Sequence, residues 1–161
     1  DLVVRIGSLK DDAEIVARKL GSQSLLICAT REYLHRHGTP QAPADLLQHD
    51  CIVGWRNGTR KSWMLVDEKG QTNEHDVRVK HEVGDGEMLL DMTLAGGGLA
   101  QLPTWLIKQQ LAEGSLVEVL PHLASEGLAI HLVWPKNRDA LPKVKVLLDA
   151  LAQGLMPGLQ R

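Results

Sequence analysis

Between residues 84 and 105 the chain reads GDGEMLLDMTLAGGGLAQLPTW, and this stretch leaves few folds open. A strand-like run over residues 77–83 leads into Gly84-Asp85-Gly86. A helix pattern follows, with Met88, Leu89, Met92 and Ala95 at i, i+1, i+4 and i+7, and with Glu87 and Asp91 on the wet side. Gly96-Gly97-Gly98 ends the helix, because glycine takes the left-handed C-terminal conformation with no Cβ penalty. Residues 99–102 then form a short buried strand. Pro103 stops it, and Thr104 is a suitable N-cap for a helix over residues 105–113, closed by Gly114. Strand, helix, strand, helix with tight turns is the sequence form of a parallel α/β sheet.

The flanking sequence supplies the remaining strands. Leu2 to Ile6 is an apolar strand ending at Gly7-Ser8, and residues 15–20 and 25–29 are two further extended pieces. Residues 31–38 form a short helix closed by Gly38, and a proline-rich link leads to a one-turn helix over 44–48. Residues 51–55 are a strand, Arg56-Asn57-Gly58-Thr59 a turn, and 61–66 and 74–83 strands around a turn at Lys69-Gly70. Strands over 116–120 and 128–134 follow, the latter ending at Pro135. The last helix carries Pro142 in its first turn, with an apolar stripe of Val144, Leu147, Leu148, Leu151 and Leu155.

At 161 residues the chain can bury one respectable core, or two small lobes sharing one. Its residues are 43% hydrophobic and 24% charged, which places it among globular chains. No apolar run approaches ~18 residues, so no membrane span or membrane partner is expected. The chain starts inside a strand, which suggests that earlier elements of the same sheet are missing, and its opening residues do not read as a signal peptide. Cys28 and Cys51 sit in apolar runs without CxxC spacing and read as reduced core cysteines of a cytoplasmic protein. Eighteen basic against 20 acidic residues give a formal charge of −2, which argues against this chain gripping nucleic acid by itself.

Candidate chemistry is sparse. Gly96-Gly97-Gly98 lacks the GxxxxGK[ST] pattern and follows a helix instead of preceding one, so it reads as a C-cap and tight packing. The seven histidines are dispersed, and His35 and His37, two apart, lie on different helix faces, so no metal is nominated and no cofactor is expected. Asp85 and Glu87 are more simply capping and dipole partners than catalytic carboxylates. No Gly-x-Ser-x-Gly occurs and neither cysteine has a histidine near it in sequence, so no catalysis is expected. Of the four tryptophans, Trp134, before Pro135, is the one that reads ambiguously between core and ligand contact.

The positive signal is geometric. In open α/β sheets ligands bind beyond the carboxyl ends of strands, where helix starts present free amides. Four such ends are visible: Gly7-Ser8-Leu9, Gly84-Asp85-Gly86, Leu102-Pro103-Thr104, and Trp55-Arg56-Asn57.

Several segments together resemble a known family. They are Asp1-Leu-Val-Val-Arg-Ile-Gly7; Ala29-Thr-Arg-Glu-Tyr33-Leu34 with His37-Gly38-Thr-Pro40; Pro43-Ala-Asp45-Leu46 and His49-Asp-Cys-Ile52; residues 84–103; and Gly114-Ser-Leu116-Val-Glu-Val-Leu120. In order and spacing the chain is similar, from residue 1 to about residue 152, to the effector-binding domain of LysR-type transcriptional regulators. The resemblance implies an α/β, periplasmic-binding-protein-like type 2 fold: two mixed or parallel-sheet lobes joined by two crossing strands, the first lobe incomplete. Residues 1–24 and 136–161 would form part of lobe I, 31–127 lobe II, and 25–30 and 128–135 the crossovers, with Cys28, Ala29, Val133 and Trp134 at the hinge.

The resemblance also supports the four strand ends as contacts for a small-molecule effector held between the lobes. It implies pairing into a homodimer, or a tetramer in the full-length protein, and DNA contact only through an absent N-terminal winged helix-turn-helix. That domain and the family's first strand–helix units have no counterpart here, and Thr30-Arg31 stands where the family commonly has Ser-Pro. The expected function is ligand sensing for transcription regulation. A solute-binding protein of a transport system is the alternative, and a small α/β enzyme lacks any nucleophile–base constellation.

Overall fold

The computed structural model describes residues 2–7, 9, 13–56, 59–60, 62–138 and 145–151, with backbone alone at 55, 56, 59, 60, 125–127 and 138. The chain divides into two compact units: Ser24–Ser125, and Asp1–Gln23 with Glu126–Arg161.

The larger unit is built on the Gly84–Trp105 stretch. Its parallel strands are β3 (Cys51–Arg56), β7 (Val79–Val83) and β8 (Leu99–Pro103), with β3 in the middle. On the other side of β8 lies the C-terminal half of β2 (Ile15–Ala29), antiparallel in a register that sets Leu25 opposite Pro103 and Cys28 opposite Ala100. The next strand is β9 (Val117–Val119), with Cys28 opposite Glu118. A two-residue strand, β4 (Thr59–Arg60), pairs with the end of β3. The hairpin of β5 (Trp63–Val66) and β6 (Thr72–His75) forms a separate small sheet.

Period-2 alternation sorts the strand residues onto two buried faces. Leu26, Cys28, Ile52, Ala100 and Leu102 pack with Leu89 and Leu90 of α2 (Gly86–Leu94) and Ile107 of α3 (Thr104–Glu113). Ile27, Ala29, Cys51, Val53 and Leu99 pack on the opposite side with Tyr33 and Leu34 of α1 (Arg31–His37), Leu46, and Trp63 and Leu65 of the hairpin. A sheet covered on both faces needs strands that are apolar throughout, which is why 99–102 and 51–53 read as runs and not as alternations.

Several local expectations change. The pieces at 15–20 and 25–29 are one strand: Gly21-Ser22-Gln23-Ser24 looks like a break but stays extended, pairing with sheet neighbours overriding its weak propensity. The single strand expected over 74–83 is two, β6 and β7, because β6 folds back on β5 while β7 joins the parallel sheet. Thr104 is not an N-cap but the first helical residue. Pro103, extended at φ −70°, takes the cap position and makes no side-chain cap bond. Met88 is half exposed, and the buried face of α2 is Leu89, Leu90 and Thr93, the Thr93 hydroxyl donating to the Leu89 carbonyl at 2.6 Å. Trp63 and Trp134 are core residues, whereas Trp105 is half exposed.

The glycine triplet is a cap and a close packing point. Gly96 takes φ +76°, and the Gly97 amide reaches back to the Met92 carbonyl at 3.0 Å. A Cβ at Gly97 would stand 2.9 Å from that carbonyl oxygen, and one at Gly98 would collide with the Asp50 carbonyl. Leu99 donates its amide to the same Asp50 carbonyl, so the turn is pressed against the start of β3.

In the smaller unit, β1 (Val3–Ile6) runs antiparallel to β10 (Ser125–Pro135), with Val3 opposite Val133 and Ile6 opposite Ile130. Leu20, Ile130, Leu132, Trp134 and Leu148 form its core. Val3, Val4 and Ile6 of β1 remain exposed, as does Leu147 in the helical backbone at 145–151, although the sequence pattern set Leu147 in a buried stripe. Pro142, Val144 and Leu155 lie outside the described residues.

Candidate functional site

Because β3, β7 and β8 are parallel, their carboxyl ends lie on one edge of the larger unit's sheet. Val83 is opposite Gly54, so Gly84-Asp85-Gly86 follows directly beside the end of β3. α2 and α3 both start on this edge and touch there: a Cβ built on Gly86 meets the Leu106 side chain at 3.6 Å. The fold thus brings together Gly84, Asp85, Gly86, Leu102, Pro103 and Thr104, with the backbone of Trp55 and Arg56 closing the third strand end.

The chemistry of that edge is amide-rich. Asp85 is the N-cap of α2, accepting the Met88 amide at 2.8 Å, while its carbonyl takes the Leu89 amide at 3.2 Å. The Gly86 and Glu87 amides precede that first helical bond and have no partner within the helix. The first turn of α3 has no capping side chain. Gly84, Asp85 and Gly86 are exposed, whereas Leu102 is fully buried and Pro103 and Thr104 partly so. Leu102 is therefore part of the core directly beneath the edge.

Gly7 and Leu9 belong to the smaller unit, where Gly7 takes φ +101° and donates its amide to Ala129 at 2.9 Å. Ser8 and Asn57 lie outside the described residues. Cys28 and Ala29 are buried in β2, and Val133 and Trp134 in β10. Burial and the nearby Glu118 push the Cys28 thiol up to about 12; burial and Asp50 push Cys51 equally, to about 12. Both stay protonated at neutral pH and are poor nucleophiles.

Two features escaped sequence reasoning. Gln101, the polar residue inside the apolar run of β8, holds the hairpin: its side chain accepts the Met64 amide at 2.9 Å and donates to the Met64 carbonyl at 2.7 Å. A lone amide side chain in a buried strand was the available signal. The second lies at the opposite, amino-terminal edge of the parallel strands. There Tyr33 Oη accepts the Asp50 amide at 3.0 Å and lies 3.3 Å from His49 Nδ1. Lys80 and Arg78 sit on the Asp50 carboxylate, and the Lys80 bond holds that carboxyl below the usual range. No spacing rule links residues 33, 49, 78 and 80.

A cavity of about 370 Å³ lies on the hairpin side, lined by Pro43, Leu65, Asn73, His75, His122 and Leu123 among others, and shares no residue with the strand-end edge. Among the described residues no helix is long and apolar enough to cross a membrane.

Comparison with known proteins matches residues 1–156 to the family described as LysR substrate binding domain. The chain is 34% identical over 142 residues to an HTH-type transcriptional regulator of Haemophilus influenzae, covering 88% of this chain and 48% of that protein. It is 30% identical over 156 residues to the HTH-type transcriptional regulator CrgA of Neisseria meningitidis, covering 96% of this chain and 51% of that one. The solved regulatory domain of CrgA superposes with a TM-score of 0.81 at 30% identity, over 96% of this chain and 75% of that one. The regulatory domain of AphB from Vibrio vulnificus gives 0.80 at 26% identity, over 95% and 74%. The fold is therefore the periplasmic-binding-protein-like type 2 fold of these regulatory domains. The chain spans about half the length of the curated relatives it matches.

Proposed function

This chain belongs to the LysR substrate binding domain family, and from that premise we propose that it is the ligand-sensing, non-catalytic domain of a cytoplasmic transcription regulator. In this reading a small-molecule effector binds at the strand-end edge and alters how a DNA-binding domain elsewhere in the protein meets DNA. The observation that carries it is the convergence of three parallel strand ends and two helix starts on one exposed edge. Such an edge offers directed amide donors. Asp85 and Glu87 add two carboxylates, so the preferred effector presents a hydrogen-bond acceptor without a large surplus of negative charge. Gly7, Ser8, Leu9 and Asn57 stay in the proposal on family resemblance alone. So do the division into a partial lobe I, a lobe II and two crossover strands, and the hinge at Cys28, Ala29, Val133 and Trp134.

A ligand can act this way only by binding one arrangement of the protein better than another. Homodimeric association, closing by two-fold symmetry, is the expected setting. A transport role is not favoured, since the relatives are transcriptional regulators.

The experiment is a thermal-shift screen of small organic acids and amides, followed by amide NMR on any hit. Shifts at residues 84–87 and 104–106 are expected. A hit that perturbs the hairpin cavity and leaves those amides unmoved would sink this placement of the site. In parallel, the isolated chain should show no sequence-specific DNA shift at physiological salt.

A further inference from the structure

The proposed effector reading leaves one buried polar group unused, at the amino-terminal edge of the parallel strands. Tyr33 is 1% exposed and His49 6%. Besides His49, Tyr33 Oη is bonded to the Asp50 amide, which is itself a donor. A hydroxyl has one proton to give, and the tautomer that lets Tyr33 give it to His49 is the neutral ring with its own proton on Nε2, the arrangement on which the proposal below rests. The Tyr33 ring also stacks on His37, centroids 4.5 Å apart. The groups facing His49 are Tyr33 and His37 from α1, Asp45 from the one-turn helix Pro43–Leu47, and Asp50 and Cys51 at the start of β3. Asp50 is held in turn by Arg78 and by Lys80 of β7.

We propose that the Tyr33–His49 pair is a proton-operated latch between α1 and the start of β3. Protonation puts a hydrogen on Nδ1. The Tyr33 hydroxyl then faces two donors, and its own proton loses its acceptor. A buried ring carries charge and a buried hydroxyl carries an unmade bond, and both loosen α1 from the sheet edge. Asp50 transmits the loosening, because its amide is bonded to Tyr33, its carbonyl to Leu99 and its carboxylate to Lys80.

Burial and the neighbouring His37 hold His49 below its ordinary imidazole value of 6.5, with Asp45 and Asp50 pulling the other way. The folded chain therefore takes this proton less readily than the unfolded one. The latch's contribution is complete above about pH 6.5 and is lost as pH falls from there toward the folded value.

The test follows His49 ring-carbon shifts and the hydrogen-exchange protection of the Asp50 amide in the 161-residue chain, from about pH 8 to about pH 5. Protection should fall roughly tenfold with the same midpoint as the His49 titration, that midpoint lying below the ordinary imidazole value. His49→Gln, which keeps a hydrogen-bonding group but cannot titrate, should abolish the acid loss; His37→Gln should leave it. Tyr33→Phe should lower Asp50 protection at every pH and remove its dependence on His49. Asp50 protection that stays flat through the His49 titration overturns the latch, as does an acid loss that survives His49→Gln or vanishes in His37→Gln. Should His49→Gln fail to fold, coincidence or separation of the two midpoints in the unaltered chain decides.

Discussion

The two edges of one parallel sheet are built on opposite principles. At the amino-terminal edge every polar group of Asp50 is engaged: Tyr33 on its amide, Leu99 on its carbonyl, Lys80 and Arg78 on its carboxylate, with Gly98 pressed against it. At the carboxyl-terminal edge Gly84, Asp85 and Gly86 stand in solvent, and α3 starts without a capping side chain. The same three strands run between them, so the difference is not one of scaffold. A closed edge anchors strand order and register. An open edge leaves donors unspent, and unspent donors on a rigid frame are what a ligand can use.

If that contrast holds, substitutions at the closed edge cost stability and those at the open edge cost binding. The largest effect should come from Gly98→Ala, which forces a Cβ into the Asp50 carbonyl at a positive φ. A loss of more than about 3 kcal/mol by urea unfolding is expected, and a normally stable variant would break the close-packing account of this edge. Next is Tyr33→Phe, which strips one partner each from the Asp50 amide and His49 and should cost about 1–3 kcal/mol. Crossing to the open edge, Asp85→Ala removes the cap on Met88 and should cost about 1 kcal/mol, seen as local fraying of α2 by hydrogen exchange. The smallest stability change, within about 0.5 kcal/mol, belongs to Gly84→Leu, since no atom lies within 4 Å of its Cβ position and its φ is ordinary. That variant sharpens the contrast: its melting should be unchanged while its affinity for an identified effector falls. Equal affinity would leave Gly84 outside the site.

The sequence alone determined whatever local chemistry can specify. Helix bounds at Asp85, Gly38 and Gly114 and the glycine cap at 96–98 follow from capping and φ > 0, which act between near neighbours, and the apolar runs of β3 and β8 mark strands covered on both faces. Gly84-Asp85-Gly86 and Pro103-Thr104 were legible as strand ends for the same reason. Only the tertiary structure decided which strands sit side by side. The split of 74–83 into β6 and β7, the fusion of 15–29 into one strand and the exposure of Met88 all depend on partners far along the chain. The Tyr33–His49–Asp50 group and the Gln101 bonds to Met64 were likewise invisible, because a hydrogen bond between residues 17 or 37 positions apart has no period to betray it. Short-range sterics are written in order along the chain, whereas the meeting of distant polar groups is set only when the core closes around them and leaves each one a single place to go.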